Sequence, residues 1–159
     1  ILDVDYRPYT WRSLKEASRI CLKVAEISDI VIGNDDEFAV MAENYNDGIK
    51  LAEKLSKSTA SIVIYKMGEK GSITFTVNEK IKTGIFQVDA LKPTGAGDAF
   101  MGVFISSLLN KKSIKYSVIA GSAAAAIVVT KVGCSPAMPS KEELELFLKK
   151  NIITDFKDN

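Results

Sequence analysis

The stretch KPTGAGDAFMGVF, residues 92–104, sets three small residues, Gly95, Ala96 and Gly97, directly before a single acid, Asp98. An apolar series at helical spacing follows: Phe100, Val103, Phe104 and Leu108. Small residues let backbone N–H groups approach an anion, and the first N–H groups of a helix have no partner within it. Together with the helix dipole they make an anion site. A carboxylate is out of place there if the site only binds an anion. It suits a hydroxyl whose proton leaves as its oxygen attacks a phosphoryl group. The amides then hold the charge that builds on the transferring phosphate, while Asp98 orients and deprotonates the nucleophile. A tight loop followed by an ordinary first-turn acid has the same composition, so the stretch by itself leaves both readings open.

Three other clusters carry side chains capable of chemistry. In GNDDEF, Asn34 and Glu37 stand three apart just past an apolar run, which locally describes an N-cap and its capping-box acid. In YKMGEKGS, Lys66 precedes a turn containing Gly68 and Gly71, and a hairpin connection is the plain explanation. In DVDYRPYTW, Asp3, Asp5 and Arg7 stand where a strand would deliver side chains to a site. Arg7 could form a bidentate fork with a carboxylate or phosphate, or the cluster could be a solvated strand end.

The segment KPTGAGDAFMG resembles the second signature of the PfkB, or ribokinase-like, carbohydrate kinases, in which a G-A-G-D core opens a central helix. The resemblance implies that Asp98 is the catalytic base, close to the attacking sugar hydroxyl, and that Gly95, Ala96 and Gly97 form the anion hole. Asn34 and Glu37 match the family's N-x-x-E motif. That motif implies phosphate positioning by Asn34 and a Mg²⁺ held by Glu37 through water, which suits an ion that sheds water reluctantly. Lys66, Gly68 and Gly71 fall where the family borders the nucleotide phosphates and ribose. AGSAAAAIVVTKVGC resembles the helix and loop that wall the adenine, with Gly121, Ser122, Ala125 and Gly133 as the matching positions, although alanines at this density also serve close packing. Family kinases of sugar acids tend to show D-x-N-x-R-P…W where this chain has DVDYRPYTW, which makes Asp5 and Arg7 substrate contacts. ATP, Mg²⁺ and a sugar or sugar acid are the implied ligands, and a homodimer is compatible with the resemblance. Lys92 stands where commoner members carry an aspartate that helps bind a monovalent cation. Its ammonium is expected to stand in for part of that cation and to free activity from added K⁺.

These residues need a scaffold, and the periodicity describes one. ILDVDY, DIVIG and SIVIYKMG read as buried strands, and SITFTV and KIKTGIF pair through a turn around Asn78 and Glu79. Helical spacing covers residues 11–27 through Leu14, Ala17, Cys21, Val24 and Ala25. Further helices are expected from NDDEFAVMAE and over Asp47–Leu55, Gly97–Leu109, Ile114–Lys131 and Lys141–Lys149. The early β-α-β-α-α-β order predicts parallel strands with helices on both faces, followed by antiparallel strands. Ligands then bind beyond the carboxyl ends of the strands. The expected fold class is α/β, and the resemblance implies a three-layer αβα ribokinase-like sheet, mostly parallel with antiparallel strands. The resemblance runs from residue 1 to about Leu148 and corresponds to the carboxyl-terminal half of the family fold. Residues 1–159 therefore read as a single domain fragment without the amino-terminal lid and substrate half, expected to turn over little sugar alone. The opening in mid-strand without methionine agrees with that reading.

Bulk properties exclude several classes. The chain has 159 residues, 47% of them apolar, and a net charge of +1, enough for an ordinary core and with no basic block for nucleic acid. VIAGSAAAAIVV is too short to span a bilayer, which takes roughly 20 residues. No signal peptide is visible at the start, and a cytoplasmic location is expected. Cys21 and Cys134 sit in no metal or redox spacing and read as reduced thiols. There is no histidine, so proton chemistry falls to carboxylates, Lys, Tyr or Cys. A nucleotide-binding module without chemistry is the alternative of another class. A dinucleotide oxidoreductase would need a glycine fingerprint after the first strand, where DYRPYTW stands instead.

Overall fold

β-Branched runs dictate the centre of the sheet. Ile30–Asn34 and Ile62–Lys66 form β2 and β3, and Val31, Ile32, Val63 and Ile64 are wholly buried. Runs apolar on both faces belong to parallel strands covered on both sides. In the computed structural model, which describes residues 1–157, β1 (Leu2–Asp3) and β2 are parallel, with Leu2 opposite Val31 and Asp3 opposite Ile32. β2 and β3 are also parallel, with Ile32 opposite Ile64 and Asn34 opposite Lys66. The crossovers are α1 (Leu14–Ala25) between β1 and β2, then α2 (Asp35–Ala42) and α3 (Gly48–Ser58) between β2 and β3. Ser13 caps α1 by accepting from the Glu16 amide, and Asn34 caps α2.

The sheet then reverses. A 3₁₀ turn over Gly68–Lys70 joins β3 to β4 (Ser72–Thr76), which runs antiparallel with Lys66 opposite Ser72. Gly68 and Gly71 take φ of 55° and 103°, a region open to glycine without steric cost. β5 (Lys80–Thr83) follows after only three residues, a connection too short for a parallel crossover. Its turn is organised by Thr76, whose amide donates to the Glu79 carbonyl and whose hydroxyl accepts from the amides of Asn78 and Glu79. The strand order β1-β2-β3-β4-β5 gives a mixed five-stranded sheet. β1 is shorter than ILDVDY suggests, because its ladder ends where the Val4 amide reaches Ile32. Asp5 then turns left-handed, at φ 38°.

The chain divides into two compact units at the end of β5, and the second, from Thr83 onward, is helical. It comprises α4 (Ala96–Leu109), α5 (Ile114–Val129) and α6 (Lys141–Lys150). Alanines pack α4 against α5 tightly: Ala99, Ala124, Val128 and Ala137 form one buried cluster. Phe86, Ala123 and Ala126 form another, closed by the Phe147 ring edge-on to Phe86 at 5.3 Å. Gly121 is part of this packing, since a Cβ there would lie 2.9 Å from the Phe100 carbonyl oxygen. The segment after α6 returns to Ile85, where the Thr154 amide donates to the Ile85 carbonyl. The Thr154 hydroxyl both accepts from the Ile85 amide and donates to its carbonyl. Gly84 makes room for this approach, because a side chain there would run into the Thr154 backbone. Among the described residues, no helix is long and apolar enough to cross a membrane.

Candidate active site

In the first unit, Asn34, Lys66 and the turn after β1 stand at the carboxyl ends of three parallel strands. Asn34 and Glu37 form a complete capping box: the Glu37 amide donates to Asn34 Oδ1 at 2.8 Å and the Asn34 amide to Glu37 Oε2 at 2.7 Å. The other carboxylate oxygen, Oε1, accepts from the amide of Tyr6 at 3.2 Å. Glu37 is only 6% exposed. Burial pushes its carboxyl above the usual carboxylate range, opposed by the Asn34 amide and the charge of Lys66 and aided by Asp3. Asp5 and Arg7 flank Tyr6, both exposed, and pair with each other at 2.6 Å. Arg7 also donates to the Tyr6 carbonyl at 3.4 Å.

In the second unit, Gly95 is the N-cap of α4 at φ 86°, and no side chain caps the helix. The Ala96 amide turns back to the Pro93 carbonyl at 3.3 Å. Asp98 lies in the first turn with its side chain exposed and not directed into the core, while its neighbours Ala99 and Phe100 are buried. Cys134 stands against this turn: its thiol is 4.0 Å from Asp98 Oδ2, and a Cβ on Gly95 would lie 2.7 Å from its sulfur. On α5, Ser122 and Ala125 are half-buried between buried neighbours, and their spacing puts them on one face. Gly133 adopts φ 97° in the loop beyond the helix.

The donor set bears on what each unit could hold. Glu37 is a single carboxylate, each of whose oxygens already accepts one backbone N–H and keeps one further lone pair. Among the described residues, no group of three acidic, cysteine or histidine side chains converges on a metal. This fits a hydrated Mg²⁺ shared with phosphate oxygens and does not fit an all-protein cage. The start of α4, with small residues at Gly95–Gly97 and no side-chain cap, fits an anion.

The sequence reading therefore locates the N-x-x-E pair, the glycine turns and Asp98 on the elements anticipated for them. It places Asn34, Glu37, Lys66, Gly68, Gly71, Asp5 and Arg7 on one unit and Gly95–Asp98, Ser122, Ala125 and Gly133 on the other. Two features escape it. The Tyr6 amide is a backbone group and leaves no mark in side-chain patterns. Cys134 reads as an ordinary thiol, because nothing in its local spacing announces contact with Gly95.

Residues 2–141 match the family described as pfkB family carbohydrate kinase, and the chain belongs to that family. Within it the chain is similar to 5-dehydro-2-deoxygluconokinases: the one from Photobacterium profundum is 42% identical over 154 residues, which cover 94% of this chain and 46% of that protein. Among solved structures, ribokinase from Thermotoga maritima superposes with a TM-score of 0.75 at 34% identity, covering 81% of this chain and 45% of that one. Arabidopsis thaliana ribokinase, complexed with ribose and ATP, superposes with a TM-score of 0.71 at 27% identity, covering 80% of this chain and 43% of that one. The chain spans about half the length of the curated relatives it matches.

Proposed function

We propose that this chain carries the nucleotide-binding and catalytic half of an ATP-dependent kinase for a sugar acid, 5-dehydro-2-deoxygluconate being the preferred substrate. That substrate would place the enzyme in inositol catabolism, in the cytoplasm. One observation carries the reading: an exposed carboxylate, Asp98, in the first turn of a helix that opens on Gly95, Ala96 and Gly97 with no side-chain cap. In the proposed reaction a sugar hydroxyl oxygen attacks the γ-phosphorus of ATP. The bond from that phosphorus to the bridging oxygen breaks, ADP leaves, and the hydroxyl proton passes to Asp98. The amides of the Gly95–Gly97 turn receive the charge that develops on the phosphoryl oxygens, that of Ala96 by giving up its 3.3 Å bond to the Pro93 carbonyl. Lys66, Gly68, Gly71, Ser122, Ala125 and Gly133 border the nucleotide, and Asn34 and Glu37 position phosphate and hydrated Mg²⁺. Asp5 and Arg7 meet the sugar acid, where the Arg7 fork suits a carboxylate. Support comes from the family membership, from the similarity to 5-dehydro-2-deoxygluconokinases and from ATP in the Arabidopsis ribokinase structure.

The test is ATP turnover by the full-length protein against a panel of sugar acids that includes 2-dehydro-3-deoxygluconate, with Asp98→Asn alongside. Turnover is expected to be fastest on 5-dehydro-2-deoxygluconate, to vanish on chelating Mg²⁺, and to fall by roughly 10²–10⁴-fold in the variant. Preference for another acid would correct the substrate. Undiminished turnover in the variant would remove Asp98 from the mechanism, and nucleotide binding without turnover on any acid would leave a non-catalytic binding module.

A further inference from the structure

The end of β1 leaves the sheet in a conformation that something must hold. After the Val4 amide closes the last rung on Ile32, Asp5 takes φ 38°, a left-handed value uncommon for a residue with a side chain. Such a conformation persists only where its surroundings determine it. The contacts around it are unequal. The Asp5–Arg7 pair is 2.6 Å long, but its side chains are 61% and 52% exposed, so water weakens it. The bonds from Thr10 to the Arg7 carbonyl are exposed as well. The bond from the Tyr6 amide to Glu37 Oε1, at 3.2 Å, ends on a carboxyl only 6% exposed, where water competes least.

We infer that Glu37 is a positioning residue for Asp5 and Arg7: its carboxylate pins the amide of Tyr6, the residue between them, and so fixes how the pair is presented. The consequence for catalysis rests on the reading above, in which that pair meets the sugar acid. The chemistry at residue 37 supports the assignment. A capping box alone is served by Glu or Gln. Here both side-chain oxygens accept N–H groups, from Asn34 and from Tyr6. A carboxamide could accept only one of them and would turn its NH₂ group against the other. Gly33 keeps the space open, since a Cβ there would lie 3.1 Å from the Phe38 ring and 3.2 Å from both Glu37 Oε2 and Val4 Cγ2. Glu37 thus joins the start of α2 to the strand end, a function separate from any contact with hydrated Mg²⁺.

The experiment uses the full-length protein and two variants, Glu37→Gln and Gly33→Ala, the second crowding the carboxylate without removing its charge. Amide exchange is followed by NMR, and KM is measured separately for ATP and for the sugar acid. In Glu37→Gln the Tyr6 amide is expected to exchange about 10-fold faster or more, while the Glu37 amide stays protected by Asn34. The KM for the sugar acid should rise about 10-fold, beside any change that the altered Mg²⁺ contact makes in the ATP dependence. Gly33→Ala should move both readouts the same way. Unchanged exchange at Tyr6 in Glu37→Gln would overturn the inference. So would a shift confined to ATP or Mg²⁺ dependence, the signature of a metal role alone. If the unmodified enzyme phosphorylates no sugar acid, the kinase reading fails by itself, and exchange at Tyr6 still decides whether Glu37 holds the strand end.

Discussion

At Gly95 two independent demands meet. The backbone is left-handed at φ 86°, and the direction a side chain would take is filled by the Cys134 sulfur. Gly95→Ala is therefore expected to cost about 1–2 kcal/mol in backbone strain alone, with the thiol contact adding to it. Thermal unfolding and turnover should both register the change. The spacing of small residues makes this turn legible in sequence, but the neighbouring thiol is distant along the chain and is not. The two cysteines should also part company in labelling. Cys21 is buried, and burial, with the charge of Glu37 behind it, pushes its thiol up. A maleimide at neutral pH is expected to modify half-buried Cys134 first, with Cys21 following only at alkaline pH or on unfolding, as mass spectrometry of the labelled peptides would show. Lys92 supports another expectation, that K⁺ added to the full-length enzyme changes turnover little. Strong activation on titration would refute it.

Elements follow sequence closely wherever local pattern governs them. The two apolar runs form β2 and β3, Ser13, Asn34, Ser113 and Ser140 cap their helices, and Gly68 and Gly71 set the β3–β4 turn. β1 departs because its ladder closes at Val4 on Ile32 and the chain just beyond is held by Glu37, a residue of another element. Gly121, which matches an adenine-wall position, is also close-packed against Phe100. Gly121→Ala would gain roughly 1 kcal/mol of helix propensity and lose about 1–3 kcal/mol to overpacking against a backbone oxygen. The loss should win, visible as a lower Tm. On β3, burial first and then Asp35 push the Tyr65 phenol up to about 12 from its ordinary 10.0. Between those values the folded chain keeps a proton that the unfolded chain has released. Stability should thus fall as pH rises from about 10 to about 12 and be indifferent to this group below that window. Denaturant melts at about pH 9 and about pH 11 should show the slope, and Tyr65→Phe should reduce it to the share of Cys21 and Tyr45, which are also pushed up.

For the whole molecule, length relative to its family is the governing fact, because the chain spans about half of its curated relatives. A phosphoryl transfer needs a closed, dry site and both substrates held in register. The 159-residue chain is accordingly expected to turn over sugar acid at least roughly 100-fold more slowly than a kinase of its relatives' full length. A rate within a few-fold would show that these residues suffice. The legibility of the site divides along the same line: Asp98 and the N-x-x-E pair carry local signatures, whereas sugar selectivity draws on geometry that no short motif encodes. The return of Thr154 to Ile85 has a practical corollary. One hydroxyl serves both polar groups of a single residue, so a truncation that removes that threonine should lower the Tm of the helical unit. Beyond that cut Ile85 would have to recruit solvent on both sides, and the helical unit should begin to fray from its seam.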